Sequence, residues 1–193
     1  MKLKLSAKEL TRQVKRLKEA LRENNLNYIV REAIEQEDSG SDILDINVGL
    51  PGIDEKEMMK KVIKEVQSVV SLPLQIDSAD YEVIEAAARI YNGKPIINSV
   101  NGKKESMDKI FPIAKKYGAL VVALTLDEEG IPATSEKRLE IATNIIETAK
   151  VYGIPEENIL IDPLVLTASA EQKAVMETLK AIPLIKNKYN VKI

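Results

Sequence analysis

LQIDSADYEVIEAAARIYNGKPIINSVNG, residues 74–102, decides the fold. Residues 73–77 alternate apolar and polar and read as a strand that ends on a carboxylate, Asp77. A helix is expected from about Asp80 to the Asn92-Gly93 stop signal. Residues 94–100 read as a second strand, with Asn98 near its end and Asn101 just beyond. A helix between two strands makes them parallel, so their C-terminal ends point the same way. The carboxylate and the amides are therefore expected at one mouth.

The same unit repeats on both sides. Upstream, residues 42–49 (DILDINVG) read as a strand carrying Asp45 and Asn47, followed by a Gly-Leu-Pro-Gly turn. Asp54 and Glu57 form a capping box for a helix whose buried face is Met58, Met59, Val62, Ile63, Val66 and Val70. The two methionines read as core. Downstream, a helix from about Ser106 closes at Tyr117-Gly118. Residues 119–125 (ALVVALT) read as a strand covered on both faces. A helix follows over residues 135–152, then a strand over 158–162 (NILID) ending on Asp162. Ser169 and Gln172 form a further capping box, and the last helix runs to about Lys188. Residues 189–193 (YNVKI) read as the opening of another strand.

At the N-terminus, residues 1–5 alternate Lys with Leu and read as a short strand. Ser6 and Glu9 then cap a helix with Leu10, Val14, Leu17 and Leu21 on one stripe. The basic residues on its other faces interleave with Glu9, Glu19 and Glu23, which reads as a solvated surface rather than a nucleic-acid patch. A second helix is expected over residues 27–37.

Strand followed by helix, repeated in this way, means α/β architecture, either a doubly wound sheet or part of an eight-stranded barrel. The barrel is favoured, because there is no Gly-x-Gly-x-x-Gly or Walker sequence. The polar residues also sit at the ends of several strands instead of one crevice. With 193 residues and no interdomain linker, one domain over 1–193 is expected. Residues 1–25 form a divergent helical region, and the βα units occupy 27–193.

Composition removes whole classes of chemistry. There is no His and no Cys, so Ser-His-Asp and Cys-His catalysis, disulfides and the usual zinc sites are excluded. Acid–base work falls to Asp, Glu, Lys or Tyr. A net charge of −2 supplies no field for nucleic acid or an anionic membrane. The N-terminus lacks a long apolar stretch, so neither a signal peptide nor a membrane span is expected, and the location is expected to be cytoplasmic.

Five strand ends carry polar groups: Asp45 with Asn47, Asp77, Asn98 with Asn101, Thr125 with Asp127, and Asp162. A mouth lined by Asp and Asn suits a flat heterocycle with adjacent N–H donors and ring acceptors. A divalent metal is the other use for clustered Asp. Asn101-Gly102 reads foremost as a turn, the Asp127-Glu128-Glu129 cluster as solvated loop, and Gly49 and Gly52 as turn glycines.

These residues carry a family resemblance. DILDINVGLPGIDEKEM, PLQIDS, YNGKPIINSVNG, KYGALVVALTLDEEGIP and GIPEENILIDPLVLTASAEQ resemble the folate-binding domain of cobalamin-dependent methionine synthase. They are similar to the methyltetrahydrofolate:corrinoid methyltransferases too, and more distantly to dihydropteroate synthase. The resemblance runs in unbroken order from about residue 27 to residue 188. It implies a (β/α)8 barrel holding methyltetrahydrofolate at its C-terminal mouth. It also implies methyl transfer from N5 to a cobalamin or corrinoid on a partner protein or domain. It assigns Asp77, Asn98 and Asp162 to hydrogen bonds with the pterin ring, and places Asp45 and Asn47 in the lining of the same mouth. It leaves the catalytic residue unassigned.

Two departures qualify that expectation. The family's first strand carries a Glu-Arg-Ile-Asn motif, where this chain reads MKLKLSAKELTRQ. The family's seventh strand carries a Gly-Leu-Ser-Asn motif beyond the last residue here. An incomplete barrel is therefore expected, with open edges that favour pairing with a second copy or another chain. Two other readings stay open: a folate-binding fragment without turnover, and a metal-dependent barrel lyase.

Overall fold

The strands over residues 44–47 and 74–77 form where apolar and polar residues alternate, and the helices starting at Glu55 and Ser135 begin where the Asp54 carboxylate and the Thr134 hydroxyl cap them. In the computed structural model residues 7–165 and 172–193 are described. In chain order they form α1 (Ala7–Arg22), α2 (Leu26–Asp38), β1 (Leu44–Asn47), α3 (Glu55–Gln67), β2 (Leu74–Asp77) and α4 (Tyr81–Ile90). There follow β3 (Ile96–Asn101), α5 (Lys104–Tyr117), β4 (Leu120–Leu124), α6 (Ser135–Val151), a 3₁₀ turn (Glu156–Asn158), β5 (Ile159–Asp162) and α7 (Gln172–Lys188). The strand pairs described are parallel. This is the expected α/β class of parallel βα units, with five strands of a barrel-type fold among the described residues. The expected strand over residues 1–5 and the Ser6 and Ser169 caps lie outside the described residues. Among those described, no helix is long and apolar enough to cross a membrane.

The chain divides into two compact units. The first takes in the described residues through Ser78 together with Glu82–Asn92. There β1 pairs with β2, Leu44 opposite Leu74 and Asn47 opposite Asp77. Leu44, Ile46, Leu74 and Ile76 are buried, as are Met59, Val62, Ile63 and Val66 of α3, which packs on β1. Each such side chain contributes roughly 1.5–3 kcal/mol on leaving water. The Asp54 carboxylate accepts the Glu57 N–H at 3.0 Å, so the expected cap is in place. The α1 stripe is only partly buried: Leu21 is covered, whereas Val14 and Leu17 are 53% and 36% exposed. Here α1 packs chiefly on α2, which shelters its last turns only, and Val14, Leu17 and Leu21 line a cleft of about 210 Å³.

The second unit comprises Ala79–Tyr81 and the described part of Gly93–Ile193. Its ladder runs β3–β4–β5, with Asn98 opposite Val122 and Leu124 opposite Asp162. Here α5 packs on β3, α6 on β4 and α7 on α6. The expectation that residues 119–125 are covered on both faces is corrected. Val121 and Ala123 are fully buried, but Leu120, Val122 and Leu124 are half-buried, because this face of the ladder is left partly open.

Helix α5 starts two residues before Ser106. The Ser106 hydroxyl does not cap it but accepts a hydrogen bond from the Asn101 N–H at 3.1 Å. The helix stops at Gly118, whose φ of +63° is the left-handed cap that glycine adopts freely. Residues 189–193 form a single parallel bridge, Lys192 to Leu160, with the Ile161 N–H donating to the Lys192 carbonyl at 2.9 Å.

Candidate functional site

Successive residues of a strand point to opposite faces, so burying Leu44, Ile46, Leu74 and Ile76 turns Asp45, Asn47, Gln75 and Asp77 to the other face. Parallel register sets these four in two cross-strand pairs. The Asn47 side-chain amide donates to Asp77 Oδ2 at 2.8 Å. Gln75 Nε2 donates to Asp45 Oδ1 at 2.8 Å. Asn47 Oδ1 in turn accepts the Gly49 N–H at 3.0 Å, which orients its amide toward Asp77. Three residues expected at the mouth, Asp45, Asn47 and Asp77, are thus brought together on one polar face. Gln75 belongs with them and was not singled out from the sequence, although strand alternation places it there.

In the second unit Asn98 lies within β3 rather than at its end, since the strand continues to Asn101. The ladder register slips between Asn98 and Val100, and the Asn98–Ser99 peptide is cis. Asn98 is half-buried, on the face that carries Val122 and Leu160. Asp162, the last residue of β5, is exposed on that same face beside Leu124. Strand β4 lies between Asn98 and Asp162, and Asp162 is two residues further along, so their backbones are roughly 12 Å apart across the ladder. The two are brought onto one face without touching. Among the described residues no group of three or more acidic, His or Cys side chains is placed to hold a metal ion.

Asp162 is held by its own loop. Its Oδ1 accepts the Leu164 N–H at 2.8 Å, and Leu164 has a φ of +56°. Its backbone carbonyl accepts the Thr125 N–H at 3.0 Å. Behind this turn sits Arg138 of α6, fully buried. Its guanidinium donates to the carbonyls of Pro163 and Leu164 at 2.6 Å each, to the Pro132 carbonyl at 3.0 Å, and to the Thr178 hydroxyl. Burial pushes its pKa below the ordinary value, and the nearby Glu177 carboxylate pulls the other way. Glu177 is itself lowered to about 2, by Lys180 first and then by the Ser135 N–H and hydroxyl, which it accepts at 2.9 and 3.0 Å. Sequence reading passed over Arg138, because an Arg on a helix ordinarily lies in water.

Two other expected strand-end groups serve structure. Asn101 Oδ1 accepts the Lys103 N–H at 3.0 Å, and Asp127 Oδ1 accepts the Glu129 N–H at 3.0 Å. The first is the turn contact that the sequence suggested; the second holds Asp127, read from the sequence as solvated loop, half-buried within its own turn. Thr125 is fully buried, and its hydroxyl has no hydrogen-bond partner among the described residues.

Comparison with known proteins gives a consistent picture. A family profile described as pterin binding enzyme matches residues 15–193. The chain is 32% identical over 162 residues to a methylcorrinoid:tetrahydrofolate methyltransferase of Eubacterium limosum, covering 83% of this chain and 60% of that protein. It is 33% identical over 167 residues to a methionine synthase of Mycobacterium tuberculosis, covering 81% of this chain and 14% of that protein. The chain thus spans less than two thirds of the length of either relative. Among solved structures, a dihydropteroate synthase of Xanthomonas albilineans bound to 4-aminobenzoic acid superposes with a TM-score of 0.65 at 22% identity. That match covers 84% of this chain and 61% of the other. A Yersinia pestis dihydropteroate synthase bound to a pterine-sulfa conjugate gives 0.66 at 15% identity, over 84% of this chain and 65% of that one. At these identities the structural likeness speaks to fold alone.

Proposed function

The chain belongs to the pterin-binding enzyme family, and from that premise we propose that it binds methyltetrahydrofolate and takes part in moving the N5 methyl group to a corrinoid on a partner protein or domain. The observation that carries the proposal is the Asn47–Asp77 pair, set at the ends of adjacent parallel strands. A carboxylate accepts two adjacent N–H donors, which is what the pyrimidine edge of a pterin offers. Asp77 has one oxygen turned to Asn47 and its Oδ1 without a protein partner among the described residues. In this reading Asp77 hydrogen-bonds the ring, and Asp45 and Asn47 line its site; ring hydrogen bonds from Asn98 and Asp162 are proposed on the family resemblance.

A corrinoid, when bound by the partner, supplies the nucleophile. This chain's residues bind the pterin and orient N5. A tertiary amine is a poor leaving group, so the departing nitrogen must gain a proton or a hydrogen bond as the methyl leaves. Fixing the ring supplies the orientation part of that barrier. The name of the Eubacterium limosum relative writes the corrinoid as methyl donor. The same binding residues serve either direction, since both pass through one transition state.

The test is to mix the purified chain, methyltetrahydrofolate and free cob(I)alamin and follow the cob(I)alamin absorbance. Loss of that absorbance with formation of tetrahydrofolate supports methyl transfer. Folate binding without any spectral change reduces the reading to a binding module. Absence of both rejects it.

A further inference from the structure

We infer that Arg138 is a positioning residue for the Asp162 carboxylate, acting through the turn that follows β5; the inference rests on the folate-binding reading above. The Asp162 Oδ1 is tied to the Leu164 N–H at 2.8 Å, so the rotation of the carboxylate follows the peptide before Leu164. That peptide is not held by a strand or helix. Leu164 sits at φ +56°, a conformation that a branched side chain adopts at a cost. What holds it is the Arg138 guanidinium, which takes the carbonyl of that peptide, Pro163, and the carbonyl of the next, Leu164, at 2.6 Å each. Thr178 of α7 reinforces the grip, sharing its hydroxyl between Arg138 and the Leu164 carbonyl at 2.8 Å. Arg138 also takes the Pro132 carbonyl at 3.2 and 3.0 Å, which joins the loop before α6 to the loop after β5.

The chemistry of the residue argues for this role over simple filling of space. A buried guanidinium loses its hydration, and an apolar side chain of similar volume fills such a place at lower cost. A planar fork of five donors is the side chain that satisfies several carbonyl oxygens at once. Two of the four acceptors, the carbonyls of Pro163 and Leu164, directly follow Asp162 in the chain. With Oδ1 taken by the Leu164 N–H, Asp162 Oδ2 is the oxygen without a protein partner among the described residues. Lysine keeps the charge but presents a point donor in place of the fork.

The test compares the wild-type chain with Arg138→Lys and Thr178→Val by three readouts. These are exchange of the Leu164 amide, the carbon resonance of the Asp162 carboxyl, and the Kd for methyltetrahydrofolate by titration calorimetry. In R138K the Leu164 amide is expected to exchange at least ~10-fold faster. The Asp162 resonance shifts, and the Kd rises by roughly 5–50-fold, as for loss of order at one charged hydrogen bond. T178V moves all three in the same direction by less, and it carries the test if R138K does not fold. An equally protected Leu164 amide and an unmoved Asp162 resonance overturn the inference. So does a freed amide with an unchanged Kd, because Arg138 is then merely structural. If the wild-type chain gives no heat with folate, the folate reading fails. The Asp162 resonance then decides the positioning role alone: a shift in R138K upholds it, and no shift rejects it.

Discussion

Asp77 and Asp162 occupy the same place in their strands, the last residue of β2 and the last residue of β5, yet they are held in opposite ways. Asp77 is fixed by a side chain on the neighbouring strand, Asn47, at 2.8 Å. Asp162 is fixed by the backbone two residues on, at 2.8 Å, and that backbone is gripped by a buried arginine. The first arrangement depends on which residue stands opposite. The second depends on loop conformation, and tolerates exchange of neighbouring side chains so long as the loop keeps its shape.

The largest expected contrast is between two glycines near these faces. A Cβ at Gly102 falls 2.7 Å from Ile141 Cγ2 and 2.9 Å from the Leu126 carbonyl, to which the Gly102 N–H donates at 2.7 Å. Backbone on one side and packed helix on the other leave no room to give, so Gly102→Ala costs about 1–3 kcal/mol in denaturant unfolding. A Cβ at Gly49 meets nothing closer than Asn47 Oδ1 at 3.5 Å, so Gly49→Ala stays within about 0.5 kcal/mol. Equal costs at the two sites would break the distinction between a loop-built and a pair-built region.

Next in size are the carboxylates themselves. Asp162→Ala and Asp77→Ala each remove a charged hydrogen-bond acceptor, and each is expected to weaken methyltetrahydrofolate binding by roughly 10- to 100-fold in calorimetric titration. Asp162→Ala additionally frees the Leu164 amide, which Asp77→Ala leaves alone.

Most of the frame was legible in the sequence. The five strands, the Asp54 cap and the Gly118 stop follow from alternation and from the chemistry of helix ends, which act over a few residues. The placement of Asp45, Asn47 and Asp77 on one face follows from strand period and parallel pairing. What was not legible depended on partners distant in sequence. Gln75 finds Asp45 only once the register of β1 on β2 is set. Arg138 finds the carbonyls 25 and 26 residues on only once α6 packs against the β5 loop. Val14 and Leu17 show the converse: a clean helical stripe predicts burial, but the number of neighbours decides it.

Smaller effects are expected from the side-chain pairs themselves. In double-mutant cycles without ligand, Asn47→Ala and Asp77→Ala couple by about 0.5–1.5 kcal/mol, as groups in direct contact do. Asn98→Ala and Asp162→Ala, with β4 between them, add to within about 0.5 kcal/mol. The smallest effect is in acid. The Glu177 carboxylate is lowered from 4.5 to about 2, so its folded form binds fewer protons than the unfolded chain between those values. Its contribution is fully present above pH 4.5 and is lost as the pH falls toward 2. Glu177→Gln is expected to flatten that part of the thermal-melt pH profile, with the Ser135 amide as local reporter.

Folate binding through these carboxylates is tested most directly by calorimetric titration of the purified chain with methyltetrahydrofolate, run beside Asp77→Ala and Asp162→Ala. One-site heat is expected for the wild-type chain and a much weakened isotherm for both variants. A folded wild-type chain that gives no heat, or variants that bind as tightly as the wild type, contradicts it.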